Sequence, residues 1–149
     1  MATLRDKPYA GFNFLVDLGD GETGGPAAGF QEVSGIGMEV AVIEYRNGNA
    51  KENSVTKLAG LNKVGDVHFR RGLMGSLQLY QWLDQIRNGD ANATRTVVVH
   101  LLNEAHEPVQ TWKLLRARII KHTSGPFNAQ ASDVAMEEMV LACERLELE

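Results

Sequence analysis

Residues Thr94–Leu102 read TRTVVVHLL, a stretch in which β-branched and apolar side chains fall on both faces of an extended chain. A strand of this kind is typical of a sheet that is covered on both sides. Period-2 alternation marks further strands before and after it. These candidates are Phe12–Leu18, Ile36–Tyr45, Val67–Phe69, Val109–His122 and Val134–Leu148. The sequence therefore predicts a mainly β protein.

The alternation in the 36–45 segment changes phase partway along. Apolar residues alternate in one phase from Ile36 to Val42, whereas Ile43 and Tyr45 occupy the opposite phase. A β-bulge, or a strand that changes faces, produces such a slip. We therefore expect an irregularity in this strand.

One amphipathic helix is predicted between Ser76 and Gly89. Ser76 is a suitable N-cap, and Gly89 is a suitable stop. The apolar stripe of this helix comprises Leu77, Leu79, Tyr80, Leu83 and Ile86. Trp82 lies beside that stripe, and we expect both Trp82 and Trp112 to pack in the core or between helix and sheet.

The segment Val134–Leu148 fits two periodicities. Helical spacing relates Met136, Met139, Val140, Cys143 and Leu146, and the local composition favours helix. Alternation instead puts Val134, Met136, Val140, Ala142, Leu146 and Leu148 on one side, with Glu138 and Glu144 interrupting. Periodicity alone favours neither structure.

Length and composition limit the class of protein. The 149 residues, 44% of them hydrophobic, fit one globular domain spanning 1–149. A net charge of -4 disfavours a wholly basic nucleic-acid binder. The single Cys143 excludes an internal disulfide, and no apolar run is long enough to span a membrane. We expect a soluble protein synthesised in the cytoplasm without a secretory signal.

The polar stretch Asn47–Gly60 is the most unusual feature of the chain. Its 14 residues lie between two predicted strands, and unstructured loops of that length are uncommon in compact domains. Two interpretations remain open, a mobile surface excursion and an arm that contacts a partner.

A glycine-rich loop from Gly19 to Gly29 contains the spacing G-x-G-x-x-G at Gly19, Gly21 and Gly24. A dinucleotide site also needs a helix that opens directly after this motif. Another strand is predicted there instead, so a plain hairpin loop is the better interpretation.

No enzyme and no metal site is predicted. His68, His100, His106 and His122 lack the spacing of metal ligands, and Cys143 lies in an apolar segment that favours burial over reactivity. No nucleophile motif or phosphate-binding lysine pattern is present. We expect no cofactor.

Several segments, in order, carry a resemblance to a known family. They are Pro8–Val16, Gly29–Ile36 (GFQEVSGI), Ile43–Gly48 (IEYRNG), Arg70–Gly72, Trp82, Arg95–Val99, Val109–Trp112, Gly125–Ala129 and Met136–Glu138. With these features the chain resembles the inner tube proteins of contractile phage tails and of bacterial contractile injection systems. The resemblance extends from about Pro8 to Leu148. It departs from the family at the long 19–29 loop and at Val67–Phe69.

The resemblance implies a fold and an assembly. The expected fold is mainly β with one α-helix, in which two packed antiparallel sheets form a small barrel or sandwich. The expected assembly is a hexameric ring that stacks into a hollow tube. On this basis Val134–Leu148 is predicted to be a strand, and Asn47–Gly60 is predicted to be an arm that reaches a neighbouring subunit, with the N-terminal residues assisting.

The resemblance also implies a function without catalysis. The tube is expected to be a conduit that sheath contraction drives through a target envelope, with partners that include the sheath, baseplate or hub, and tube-terminating proteins. Cargo or DNA is expected in the lumen. The predicted contact residues are Glu44, Arg46, Asn47, Lys51, Glu52, Asn53, Lys57, Leu58, Arg70 and Arg71. Among these, Glu44 and Arg46 are expected to form ion pairs that fix the register, or else to be an exposed pair of little consequence.

Two alternatives remain open. One is a tube-initiating or baseplate adaptor of the same fold, which forms a single ring. The other is a monomeric small β-barrel that binds a ligand through the glycine-rich loop.

Overall fold

A computed structural model of the chain describes residues 2–20 and 29–149. The elements in these residues are β1 (Phe14–Asp17), β2 (Glu32–Ser34), β3 (Met38–Tyr45), β4 (Thr56–Val64), β5 (Val67–Gly72), α1 (Gln78–Arg87), β6 (Arg95–Leu102), β7 (Pro108–Ser124), β8 (Met136–Ala142) and β9 (Arg145–Leu148). The prediction of a mainly β protein with one helix is confirmed. Within the described residues, the helix is too short and too polar to cross a membrane.

Seven strands form one antiparallel sheet in the order β1–β6–β7–β8–β5–β2, with β9 paired to β7. The first half of β7 pairs with β6 and β9, and its second half pairs with β8. We call β1, β6, β9 and the first half of β7 the first leaf. The second leaf is the remaining half of β7 with β8, β5 and β2. The sandwich is therefore one sheet folded across a shared strand.

The fold in β7 lies at Arg116. Leu115 still pairs with Arg145 in the first leaf, whereas Arg118 pairs with Ala142 in the second. Between them Arg116 has φ 52°, a left-handed conformation that is uncommon outside glycine. An irregularity of this kind bends a strand and increases its twist, so it redirects β7 from one leaf to the other.

The core lies between the leaves and beneath the helix. It consists of Val16, Leu18, Val97, Val99, Leu114 and Leu146 on the side of the first leaf, Val67, Phe69, Ala117, Ile119, Met139 and Leu141 on the side of the second, and Leu79 and Trp82 from α1. Full burial of one large aliphatic or aromatic side chain stabilises a fold by about 1.5–3 kcal/mol. These contacts therefore hold the leaves together.

Helix α1 packs most of the predicted stripe against the core, since Leu79 is buried and Leu83 and Ile86 are partly buried there. Leu79 and Trp82 are buried, while Leu77 is 62% exposed and Tyr80 45% exposed. The predicted N-cap Ser76 was wrong by one residue, because α1 begins at Gln78 with Leu77 at the N-cap position. The Gln78 amide donates to Ser76 Oγ at 3.3 Å. Trp82 is confirmed as a core residue, and its indole Nε1 donates to the Ala93 carbonyl at 2.7 Å. The predicted stripe was therefore wrong at Leu77 and Tyr80. Trp82, which was placed beside the stripe, is part of the buried face.

The C-terminal segment is extended, so its predicted strand character is confirmed. Two strands replace one, because β8 ends at Ala142 and β9 begins at Arg145. The predicted phase of β8 was wrong. Its fully buried side chains Met139 and Leu141 share a face with the buried Glu137, whereas Met136 and Ala142 of the predicted face are only partly buried.

Glu137 is buried in a charged network at one end of the core. Its carboxylate accepts from Arg71 Nε, and it accepts from His122 Nε2 at 3.0 Å. Arg71 is 1% exposed, and its guanidinium also lies over the Phe30 ring at 5.4 Å. The pairing compensates for the desolvation of Glu137, and it ties β5, β8 and β7 together.

The sheet is not a closed barrel in the part of the chain that the structure describes. Its end strands, β1 and β2, are not hydrogen-bonded to each other. A cleft of about 240 Å³ opens there, lined in part by Phe14, Val33 and Trp112. Trp112 packs partly buried against the core, as predicted. The barrel alternative is therefore not realised within one chain, and the fold is an open sandwich.

The N-terminal segment is clasped to the turn between β6 and β7. Arg5 donates through both terminal nitrogens to the Glu104 carboxylate, at 2.9 and 3.0 Å. The Arg5 guanidinium also lies 3.9 Å from the centre of the Tyr9 ring. The Thr3 amide donates to the Val109 carbonyl at 2.8 Å. The hydrogen-bonded ion pair with Arg5 lowers the pKa of Glu104 from 4.5 to about 2.

The substitution Arg71→Met tests the buried network. It leaves the Glu137 carboxylate in the core without its cation, so we expect the free energy of unfolding to fall by about 3–5 kcal/mol. Chemical denaturation followed by circular dichroism measures the change. Arg70→Met is the matched control, because Arg70 is the next residue on β5, is exposed, and lies 3.4 Å from Glu32. We expect it to cost at most about 1 kcal/mol. Equal losses in both variants would contradict the assigned role.

The clasp predicts a pH dependence. A depressed carboxyl pKa stabilises the fold above the ordinary value of 4.5, and this contribution is lost as the pH falls through about 2. An NMR titration of the Glu104 carboxyl should therefore give a midpoint near 2, and Arg5→Ala should return it toward 4.5. Lys7→Ala is the control, since Arg5 uses only the backbone carbonyl of Lys7. An unshifted Glu104 in the unsubstituted protein would show that the clasp does not form.

Candidate assembly surface

Strands β3 and β4 form a hairpin that stands apart from the sandwich. Among the described residues they pair only with each other. All eight residues of β3 are exposed, as are seven of the nine in β4. The loop at the tip spans residues 46–55. The predicted 47–60 loop was therefore too long, because residues 56–60 belong to β4. This exposed strand contains small and polar residues, so its sequence shows no alternating pattern.

An irregularity is present near the predicted phase slip, but it lies in the partner strand and not in the 36–45 strand. Val42 pairs with Ala59 and Val40 pairs with Asn62, so two residues of β3 correspond to three of β4. The extra residue lies in β4, opposite Ala41. A Cβ on Gly60 would lie 2.9 Å from the Ala41 carbonyl oxygen, so glycine permits the close approach of the strands at the bulge.

The hairpin exposes more large apolar side chains than any other element in the described residues. They are Met38, Val40, Val42, Ile43, Tyr45, Leu58 and Leu61, with Val55 in the tip loop. Leu61 is 85% exposed. The pairing puts Met38, Val40 and Val42 on one face, near the base, and Ile43, Tyr45 and Leu58 on the other, near the tip. Both faces of the hairpin are therefore apolar surfaces.

Charged residues flank these apolar patches. Glu44 stands opposite Lys57, and Glu39 stands opposite Lys63. Opposite charges across an antiparallel pair favour one register over its neighbours. Lys51, Glu52 and Asn53 lie in the exposed tip.

Arg46 and Asn47 shape the tip. The Arg46 side chain donates to the Glu52 carbonyl at 3.1 Å and to the Ala50 carbonyl at 3.0 Å. Asn47 Oδ1 accepts from the Tyr45 hydroxyl at 2.6 Å. Within this chain Arg46 therefore orders the loop backbone, and an ion pair between Glu44 or Arg46 and a second subunit stays a prediction.

The two remaining predicted contact residues, Arg70 and Arg71, lie in different environments. Arg70 is exposed on the second leaf, beside Glu32 of the edge strand β2. Arg71 is directed into the core, where it pairs with Glu137. Arg71 is therefore a residue of the protomer interior, and it does not belong to the assembly surface.

The sequence interpretation missed most of the apolar hairpin surface. It predicted a strand in the 36–45 segment but named none of the apolar residues of that strand as contact residues. One feature of the sequence does indicate a strand with two apolar faces. Val42 and Ile43 are adjacent and both apolar, so their side chains lie on opposite faces of the strand. In a two-stranded element without a sheet beneath it, both phases remain exposed.

A neck of three glycines connects the hairpin to the sandwich. Gly35 has φ 84°, and a Cβ there would lie 2.5 Å from the Asp66 carbonyl oxygen. The Gly65 amide donates to the Gly37 carbonyl at 3.1 Å. Glycine at position 35 permits this left-handed conformation and the close approach to Asp66. The chain can therefore leave β2 and return to β5 along adjacent paths.

The described residues offer no cluster of three or more His, Cys, Asp or Glu side chains suited to a metal ion. Burial raises the pKa of the Cys143 thiol, which disfavours its reactive thiolate form. Gly21 and Gly24 of the glycine-rich motif lie outside the described residues. The prominent surface feature is thus an apolar protrusion.

Comparison with known proteins identifies the fold. A family model described as T4-like virus tail tube protein gp19 matches residues 10–147. A search of curated proteins gives no significant match. A solved chain from the extended sheath-tube complex of the extracellular contractile injection system PVC is 27% identical, with a TM-score of 0.82, and the match covers 95% of this chain and 91% of that one.

Two further structures are similar. A chain from the PVC sheath/tube terminator in the extended state is 27% identical, with a TM-score of 0.84, over 97% of this chain and 98% of that one. The cap of the anti-feeding prophage shares the fold at 24% identity, with a TM-score of 0.84, over 100% of this chain and 95% of that one. The chain belongs to the T4-like virus tail tube protein gp19 family, and it is a structural tail tube protein related to those of contractile injection systems.

Proposed function

We propose that this chain builds the inner tube of a contractile particle by forming six-membered rings that stack, and that the β3–β4 hairpin is the arm that joins the copies. The observation that carries the proposal is the hairpin's two-sided apolar exposure. An isolated two-stranded hairpin is at best marginally stable in water. Contiguous exposed apolar surface is also typical of protein interaction sites. Burial against a second copy supplies the missing cover.

A ring with head-to-tail contacts uses two different surfaces on each subunit. The hairpin provides one of them. The edge strands β1, β2 and β9 provide free backbone donors and acceptors for pairing with neighbouring copies. Pairing between subunits would close the open sandwich of each protomer into a continuous wall around a lumen.

Charged residues of the hairpin give the contact its specificity. The proposed contact set is Glu44, Arg46, Asn47, Lys51, Glu52, Asn53, Lys57, Leu58 and Arg70, extended by the apolar hairpin residues. Glu44 and Lys57 stand opposite each other in the free protomer, and both remain exposed to a partner. Such charges discriminate between registers more than they add affinity.

The work of this protein is mechanical. A tube of packed β-sheets acts as a rigid conduit, and a surrounding sheath supplies the force when it contracts. The similar chains come from a sheath-tube complex and a sheath/tube terminator. We therefore propose a sheath, a baseplate and a terminating protein as partners. The protein reaches its working location as part of an assembled tail or injection particle, with cargo or DNA in the lumen.

The double variant Ile43→Glu with Leu58→Lys tests the arm. These residues pair across the hairpin, so the variant exchanges an apolar cross-strand pair for a charged one of the kind that Glu44 and Lys57 already form. We expect a folded monomer with unchanged thermal stability that no longer forms rings or tubes. Electron microscopy and sedimentation velocity measure assembly.

Leu77→Glu serves as the control. Leu77 is an exposed apolar residue just before α1, away from the hairpin, and an acidic residue there is compatible with the helix N-terminus. This variant should assemble normally. Normal tubes from the hairpin double variant would overturn the assignment of the arm.

A further inference from the structure

The loop between β7 and β8 borders a half-open depression on the surface of the protein. Residues 126–135 line a space of about 600 Å³, with Pro126, Phe127, Ala131 and Val134 among its apolar walls. Phe127 is 68% exposed and Val134 is 73% exposed. We call this space the end hollow. It adjoins a second depression of about 460 Å³ that reaches Arg70 and Gln31.

Hydrogen bonds hold the loop open. The Gly125 amide donates to the Met136 carbonyl at 2.9 Å where the loop leaves and rejoins the sheet. Within the loop, Asn128 accepts from the Gln130 amide at 3.0 Å through its side chain and from the Ala131 amide at 3.2 Å through its carbonyl. The hollow therefore exists before any partner arrives, which lowers the entropic cost of binding.

The end hollow and the hairpin lie at opposite ends of the second leaf. The hairpin joins this leaf through Gly65 and Asp66, immediately before β5 begins at Val67. The loop follows the end of β7, and there Gly72, the last residue of β5, pairs with Met136. One convex and one concave apolar surface thus mark the two ends of β5. This is the polarity that a head-to-tail stack requires.

We infer that the end hollow of one copy receives the β3–β4 hairpin of the next copy, an inference that rests on the proposed role of the hairpin as the arm. The arm is long enough to extend beyond its own protomer, since the eight-residue β3 is about 27 Å long. The charges are also complementary. Asp133 and Arg70 line the joined depressions, and Lys57 and Glu44 offer both opposite charges on the hairpin.

The substitution Ala131→Trp tests the inference by filling the hollow. Ala131 is exposed and lines the space, so the monomer should keep its fold and thermal stability. We expect the protein concentration needed for tube formation to rise at least about tenfold. Ala105→Trp is the matched control, because Ala105 is an exposed alanine in the turn between β6 and β7. It should assemble as the unsubstituted chain does.

Disulfide trapping identifies the occupant. Leu58→Cys and Ala131→Cys are introduced into separate chains that both carry Cys143→Ala, and the two are mixed under oxidising assembly conditions. A heterodimer that forms only in the mixture supports the inference. Absence of that product, or normal assembly of Ala131→Trp, overturns it. Blocked assembly of Ala131→Trp without the cross-link would likewise overturn it, since another segment would then occupy the hollow.

The two proposals fail in different ways. If the hairpin double variant still forms tubes, the arm itself is wrongly assigned. If that variant is blocked while Ala131→Trp assembles, the arm stands and only its receptor is wrong.

Discussion

Strand β7 is the constraint on which the sandwich depends. It pairs with β6 and β9 through its first half and with β8 through its second, and the left-handed residue Arg116 separates the two halves. Without that bend, a strand of 17 residues would continue in one sheet, and the two apolar faces would not meet. The core between the leaves, the helix that covers it and the ends of the second leaf all follow from this change of direction.

Apolar surface in this protein has two destinations. One part is buried between the leaves, where it stabilises the protomer. The other part, on the hairpin, is left in solvent by the same fold. The burial of either apolar surface away from water is favourable. Burial between the leaves therefore stabilises the fold, and the exposed hairpin retains a driving force for association. In the proposed tube, the apolar surface of the hairpin is buried between copies, and the core of the protomer is unchanged.

Charged groups follow the same division. The pair formed by Arg71 and Glu137 lies inside the protomer, where removal of one partner leaves an uncompensated buried charge. Glu44 and Lys57, in contrast, are exposed and stand opposite each other on the hairpin. Adjacent residues of one strand illustrate the contrast, since Arg70 is directed to the surface and Arg71 to the core.

Much of the fold was predictable because strands with a covered face alternate in sequence. The predictions for β6 and for an extended C-terminus agree with the structure, and the predicted bulge is present but lies in the partner strand β4. Errors occurred where alternation is ambiguous. The predicted phase of β8 was wrong because Glu137 lies on the buried face in an ion pair, which a pattern of apolar residues does not reveal. The predicted contact residues were mostly polar, with Leu58 as the one apolar member, whereas most exposed apolar residues of the candidate site lie on β3 and β4. Sequence alone does not say which strand lacks a sheet beneath it.

Electron microscopy of the purified full-length chain over a range of concentrations tests the central claim most directly. We expect rings with six-fold symmetry and a central hole that stack into tubes as the concentration rises, with β3 and β4 buried between copies. Monomers at every concentration, with the amides of β3 and β4 unprotected from hydrogen exchange, would contradict it.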